Sequence, residues 1–116
     1  MAGDVVAIQI PKPSYREGSA FTATAYFRTR STGAAATPTN VYYRLDNLTT
    51  STQLATWTSV SPAGNVSIAI TATHNAIQDA SNRTERVQLT VALDHGLSTQ
   101  VHESRVWEVE NLTGSP

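Results

Sequence analysis

The chain has 116 residues, 40% of them apolar and 15% charged, with no cysteine and a formal net charge of −1. That length suits a single domain, because a chain of ~100–150 residues buries enough surface to fold without disulfides. The composition excludes a thiolate metal site, a cysteine nucleophile and any bulk field that would gather nucleic acid or anionic lipid.

The first residues, Met1 to Ile8, lack a basic region and a long apolar run, and no window approaches the ~20 apolar residues of a membrane helix. A soluble product made in the cytosol is expected, with short flexible termini (about residues 1–4 and 113–116) that order on docking. Without secretion, the sequons at Asn47, Asn65, Asn82 and Asn111 are expected to be chance products of a Ser/Thr-rich chain. Val6, Ile8 and Ile10 then open a strand that Pro11 and Pro13 end, since neither can donate to a ladder. Lys12 to Gly18 reads as a turn-rich loop. Phe21, Ala23, Ala25 and Phe27 alternate with Thr22, Thr24, Tyr26 and Arg28, the period of a half-buried strand. Ser31 to Asn40 is small and polar.

Val41, Tyr43 and Leu45 alternate with Tyr42, Arg44 and Asp46, and a short strand over Leu54 to Thr58 is anchored by Trp57. A Ser-Pro-Ala-Gly turn leads to Val66, Ile68 and Ile70. His74 to Asn82 is the one helical candidate, with Ala76, Ile77 and Ala80 as its stripe and Asn75 as its cap, at the place where the chain crosses between sheets. Val87, Leu89, Val91 and Leu93 form a further strand, and Asp94-His-Gly joins it to the last, Gly96 supplying a positive φ. In the closing strand Val101, Trp107 and Val109 share a face that Glu103 and Arg105 interrupt. Val106 has the opposite parity, which predicts a bulge within His102–Arg105. Short strands at this spacing predict an all-β chain: a single immunoglobulin-like antiparallel β-sandwich of about seven strands, with one short helical turn around residues 74–82. Its expected core is Phe21, Phe27, Val66, Ile68, Ile70, Leu89, Val91 and Trp107.

Chemical motifs are sparse. His74, His95 and His102 lack the clustered spacing of a zinc site. No Gly-x-Ser-x-Gly elbow, phosphate loop or dinucleotide fingerprint is present, and Glu103, Glu108 and Glu110 read as an acidic closing strand that discourages aggregation. No catalytic residue, metal or cofactor is therefore expected. If their strands paired, Arg28, Arg30 and Arg44 would neighbour one another beside Tyr26 and Tyr42, but the acidic balance argues against a nucleic-acid platform. Tyr26, Tyr42 and Trp57 offer ring faces that a carbohydrate module would use. From Asn47 to Gln78 there is no Lys, Arg, Asp or Glu. A Ser/Thr-rich solvated surface accounts for such a span; so does a protein contact, because interface centres are depleted in charge. The seven arginines set against the single Lys12 fit a G+C-rich coding bias, and also an interface. Leu54, Trp57, Arg28, Arg30 and Arg44 are the interface candidates.

Several segments carry a resemblance: Val41-Tyr-Tyr-Arg-Leu-Asp-Asn-Leu, Ser67-Ile-Ala-Ile-Thr, Ala76-Ile-Gln-Asp-Ala-Ser-Asn with Glu85-Arg-Val-Gln-Leu-Thr-Val, and Val106-Trp-Glu-Val-Glu-Asn-Leu. Over roughly residues 40–112 the chain resembles small virion proteins of tailed bacteriophages, encoded among head and neck genes. The resemblance implies a non-enzymatic structural protein that decorates or cements the capsid, or else a neck, tail or tail-fibre accessory component. It implies many copies or a homo-oligomer on the major capsid protein or other virion proteins, located in the virion after synthesis in the host cytoplasm, with neither nucleic acid nor membrane as partner.

Overall fold

Each alternating run of the sequence forms a strand in the computed structural model, which describes residues 4–29, 32–98 and 100–112. In chain order these are β1 (Asp4–Gln9), β2 (Ser14–Arg16), β3 (Phe21–Thr29), β4 (Val41–Asn47), β5 (Thr52–Val60), β6 (Asn65–Ile70), β7 (Thr84–Leu93) and β8 (Val101–Glu110). They make two sheets, β1-β3-β6 and β2-β8-β7-β4-β5. The inner faces close on one core: Ala23, Ala25 and Phe27 from β3 and Val66, Ile68 and Ile70 from β6 meet Leu45, Leu89, Val91 and Trp107 from the larger sheet. The architecture is a β-sandwich.

Of the expected core, only Phe21 is half-buried; its ring stacks on Tyr15 at 4.1 Å and meets the edge of Trp107 at 5.1 Å. Three expectations are corrected. The loop expected after Pro11 contains β2, a short strand that runs parallel to β8, so the larger sheet is mixed. The closing strand has no bulge: β7 and β8 stay in register from Thr84↔Glu110 to Leu93↔Val101. Glu103 and Arg105 keep the inward parity and yet stay exposed, because they line a cleft of about 320 Å³ against Val6, Ala7 and Ile8 of β1. The two sheets part there.

The third correction concerns residues 74–82. They do connect the two sheets, but no helix forms among the described residues. Two polar side chains claim the groups that a helix would use. Asn75, expected as a cap, is fully buried and accepts a 2.8 Å bond from Trp107 Nε1 while donating to the Ser19 carbonyl at 2.8 Å. The amides of Gln78 and Asp79 donate at 2.7 and 2.9 Å to the carboxylate of Glu85, not to carbonyls one turn back.

Glu85 is fully buried and forms no ion pair with a cation among the described residues. Its carboxylate also accepts from Asn47 Nδ2 at 2.8 Å and Asn82 Nδ2 at 3.0 Å, so each oxygen receives two donors. Burial is the largest influence and pushes this carboxyl up. The bonds from Gln78, Asn82, Asp79 and Asn47 together outweigh it and hold the group below its ordinary 4.5. Asn111 adds bonds to the carbonyls of Ala80 and Asn82 at 3.1 and 2.9 Å. Three of the four sequon asparagines thus hold the crossover, and their side chains are structural. His74 belongs to the same segment: its Nδ1 accepts from the Thr71 amide at 3.1 Å, and burial lowers its pKa.

Two outcomes are expected. Leu89→Ala removes a fully buried side chain and lowers unfolding stability by ~2–5 kcal/mol in urea titrations. Glu85→Gln costs about 2 kcal/mol at neutral pH, because an amide cannot accept from all four donors. A carboxyl depressed in the folded state contributes its full stability above its unfolded value and loses it as pH falls through the folded one. Between neutrality and about pH 3, therefore, wild type loses more stability than the Gln variant.

Candidate functional site

The larger sheet turns Tyr42, Arg44 and Asp46 of β4 outward, away from the core, because their neighbours Val41, Tyr43 and Leu45 face in. Opposite Arg44 the register with β5 shifts: Tyr43 pairs Thr58 while Leu45 pairs Ala55, so Thr56 and Trp57 together oppose one residue. A bulge of this kind bends the strand and re-aims a side chain. Here it sets Trp57, half-buried, beside the Arg44 guanidinium, 5.7 Å from ring centroid to guanidinium carbon.

Arg44 is also gripped by Asp46 through two bonds of 2.9 and 2.8 Å. Asp46, by hydrogen bond and then by charge, raises the guanidinium pKa further above its already high ordinary value. The fork is thus held flat by one neighbour and offered to an aromatic face by another, a use that Lys cannot imitate.

Two imidazoles complete the cluster. Residue Ala92 of β7 lies between Tyr42 and His102 in the ladder, and its small side chain leaves space above it. His95 leans into that space from the β7–β8 turn. The turn is set by Asp94 at φ 52° and Gly96 at φ 84°. It is pinned to Asn40, which accepts from the His95 amide at 2.7 Å and donates to its carbonyl at 3.2 Å. Ring centroids lie 4.7 Å apart for Trp57 and His95, 5.2 Å for Tyr42 and His95, 5.4 Å for Trp57 and His102, and 5.8 Å for the two histidines. The result is a surface of four rings, one guanidinium and one carboxylate, built on strands and one braced turn. Nδ1 of His95 is shut off from solvent and has no hydrogen-bond partner among the described residues.

The five candidates from the sequence do not assemble. Trp57 and Arg44 come together. Leu54 is half-buried against the hydrophobic core. Arg28 stands on the smaller sheet over the ring of Tyr26, at 5.9 Å, and Arg30 lies outside the described residues. The neighbourhood of Arg28 with Arg44, and of Tyr26 with Tyr42, is corrected: β3 and β4 belong to different sheets. Chain proximity does not survive the crossing. Tyr42, Asp46, His95 and His102 were missed as a group, although Tyr42, Arg44 and Asp46 share one strand face by parity alone. His74 is remote from the other two histidines in the crossover, and among the described residues no group of three or more His, Cys, Asp or Glu side chains is placed to hold a metal ion.

No protein-family model matches the chain, and no curated protein matches it significantly.

Because these side chains stand on the surface, Trp57→Ala and Arg44→Ala are expected to lower the melting temperature by a few degrees at most. Circular dichroism melts check this, and a collapse of the fold in either variant contradicts the placement.

Proposed function

We propose that the protein is a non-catalytic binding module that attaches to another protein through the outer face of its larger sheet. The observation that carries this reading is Trp57, held half-exposed between Arg44 and two imidazoles on rigid strands. Aromatic and Arg side chains are the groups that dominate protein interfaces, and a preformed cluster loses little freedom on docking. The absence of charge along β5 supports the same face, since β5 borders it.

In this reading the module is a structural component of a bacteriophage particle, decorating or cementing the capsid in many copies, or serving in the neck or tail. Weak contacts repeated on a symmetric shell give strong attachment. The resemblance supports the virion setting, and the residues carrying it include Asn47, Asn82, Glu85, Trp107 and Asn111. These are the fold's buried and crossover-holding groups, so the likeness speaks for a shared scaffold. The strand order supports an immunoglobulin-like scaffold as well: β1, β3 and β6 stand where strands A, B and E would, facing β8, β7, β4 and β5 as G, F, C and C′. Tyr42 and Trp57 on one face favour a second reading, a glycan-binding module that stacks sugar rings.

Quantitative mass spectrometry of purified particles is expected to find many copies per particle, and Trp57→Ala to weaken attachment about 30-fold, the loss of one interface anchor. Absence from particles overturns the virion setting. A specific glycan-array signal abolished by Trp57→Ala replaces the protein partner with a sugar.

A further inference from the structure

The exposed edge of β8 is self-complementary. β2 covers this edge only at Glu108 to Glu110, where its register with Ser14 to Arg16 lies. Pro13 stands just before it and supplies the carbonyl that accepts from the Glu108 amide at 3.1 Å. Since β8 begins at Val101, the stretch from Val101 to Trp107, with Ser104 at its midpoint, has no strand on its outer edge among the described residues.

The direction of the backbone groups follows from their partners. The Glu108 amide and the Glu110 carbonyl both bond towards β2. Successive residues of a strand direct these groups to opposite sides. His102, Ser104 and Val106 therefore direct theirs to the same outer edge. Ser104 shows this, because its amide is taken by a Glu103 carboxylate oxygen at 3.0 Å and not by β7.

We propose that two copies of this chain join edge to edge through β8, antiparallel about Ser104, so that the two larger sheets become one. In that register Ser104 exchanges both backbone bonds with its counterpart, and His102 exchanges both with Val106 of the second copy. Glu103 then stands opposite Arg105 of the second copy, and Arg105 opposite its Glu103. These are non-hydrogen-bonded positions, where side chains come closest, with Cα atoms about 4.5 Å apart. Among the described residues neither Glu103 nor Arg105 has an ion-pair partner within the chain. Both interrupt a face that is otherwise apolar. Two-fold pairing gives each the opposite charge, and the backbone bond to the second copy replaces the local bond by which Glu103 occupies its neighbour's amide. A two-fold interface must be complementary to itself, and this stretch is so in charge, in hydrogen bonding and in length.

A competing role for inward charges on an edge is to repel pairing. Sedimentation equilibrium of the purified protein, from micromolar to millimolar, separates the two. A dimer is expected that weakens at high salt. Glu103→Arg and Arg105→Glu each place like charges opposite one another and are expected to weaken it roughly tenfold or more. The double variant Glu103→Arg with Arg105→Glu restores the opposite pairs and is expected to dimerise as wild type does. Ser104→Pro removes an edge amide that β7 does not use, and so yields a monomer. Circular dichroism confirms that each variant is folded; should Ser104→Pro fail to fold, the charge exchange decides. A wild-type monomer at every concentration, single charge variants that dimerise normally, or a double variant that stays monomeric each overturns the proposal.

Discussion

A buried carboxylate held by four amide donors ties this fold together. An ion in an apolar interior is costly unless its lone pairs are fully occupied, and Glu85 meets that condition with two backbone and two side-chain amides. The donors come from the end of β4 and from the segment joining β6 to β7, so satisfying one charge fixes the position of both. The indole of Trp107 imposes a parallel requirement. Its N–H must find an acceptor in the core, and Asn75 provides one while tying the same segment to the loop before β3. The crossover between sheets is thereby held from both ends by groups whose alternative is an unpaired buried dipole or charge.

This explains why the strands were legible in the sequence while residues 74–82 were not. Alternation of period two reports burial on one face, and β3, β6 and β7 satisfy it almost without exception. A helix signal, by contrast, assumes that backbone amides pair with carbonyls four residues back. Glu85 lies outside the segment and takes two of those amides, and nothing in the local periodicity of Ala76, Ile77 and Ala80 announces it. Asn75 was expected to cap, and it does bind polar groups, but those of Trp107 and Ser19 far away in the chain. Long-range polar pairing left no periodic trace. β2 was hidden for a different reason: three residues next to Pro13 are too few to alternate.

The candidate face was partly visible. Tyr42, Arg44 and Asp46 share a side by parity, but joining Trp57 to them needed the bulge in β5, and joining His95 needed the turn braced by Asn40. Grouping Arg28 with Arg44 assumed that strands adjacent in the chain are adjacent in a sheet. In a two-layer fold the link between β3 and β4 crosses the sandwich instead, and the two arginines face opposite ways into solvent. Burial patterns do not carry that information, because both sheets read alike along the chain.

The hydrogen-bonded clasp around Glu85 has a bearing on where such a chain can fold. Sandwiches of this size often pin their layers with a disulfide, which ties their integrity to an oxidising compartment. Here the equivalent restraint is made of amides and one carboxylate. Reductants leave it untouched and oxidants have no thiol to attack, so the fold is indifferent to redox potential. Its vulnerability lies with protons, which neutralise the one charge that the surrounding amides were arranged to receive.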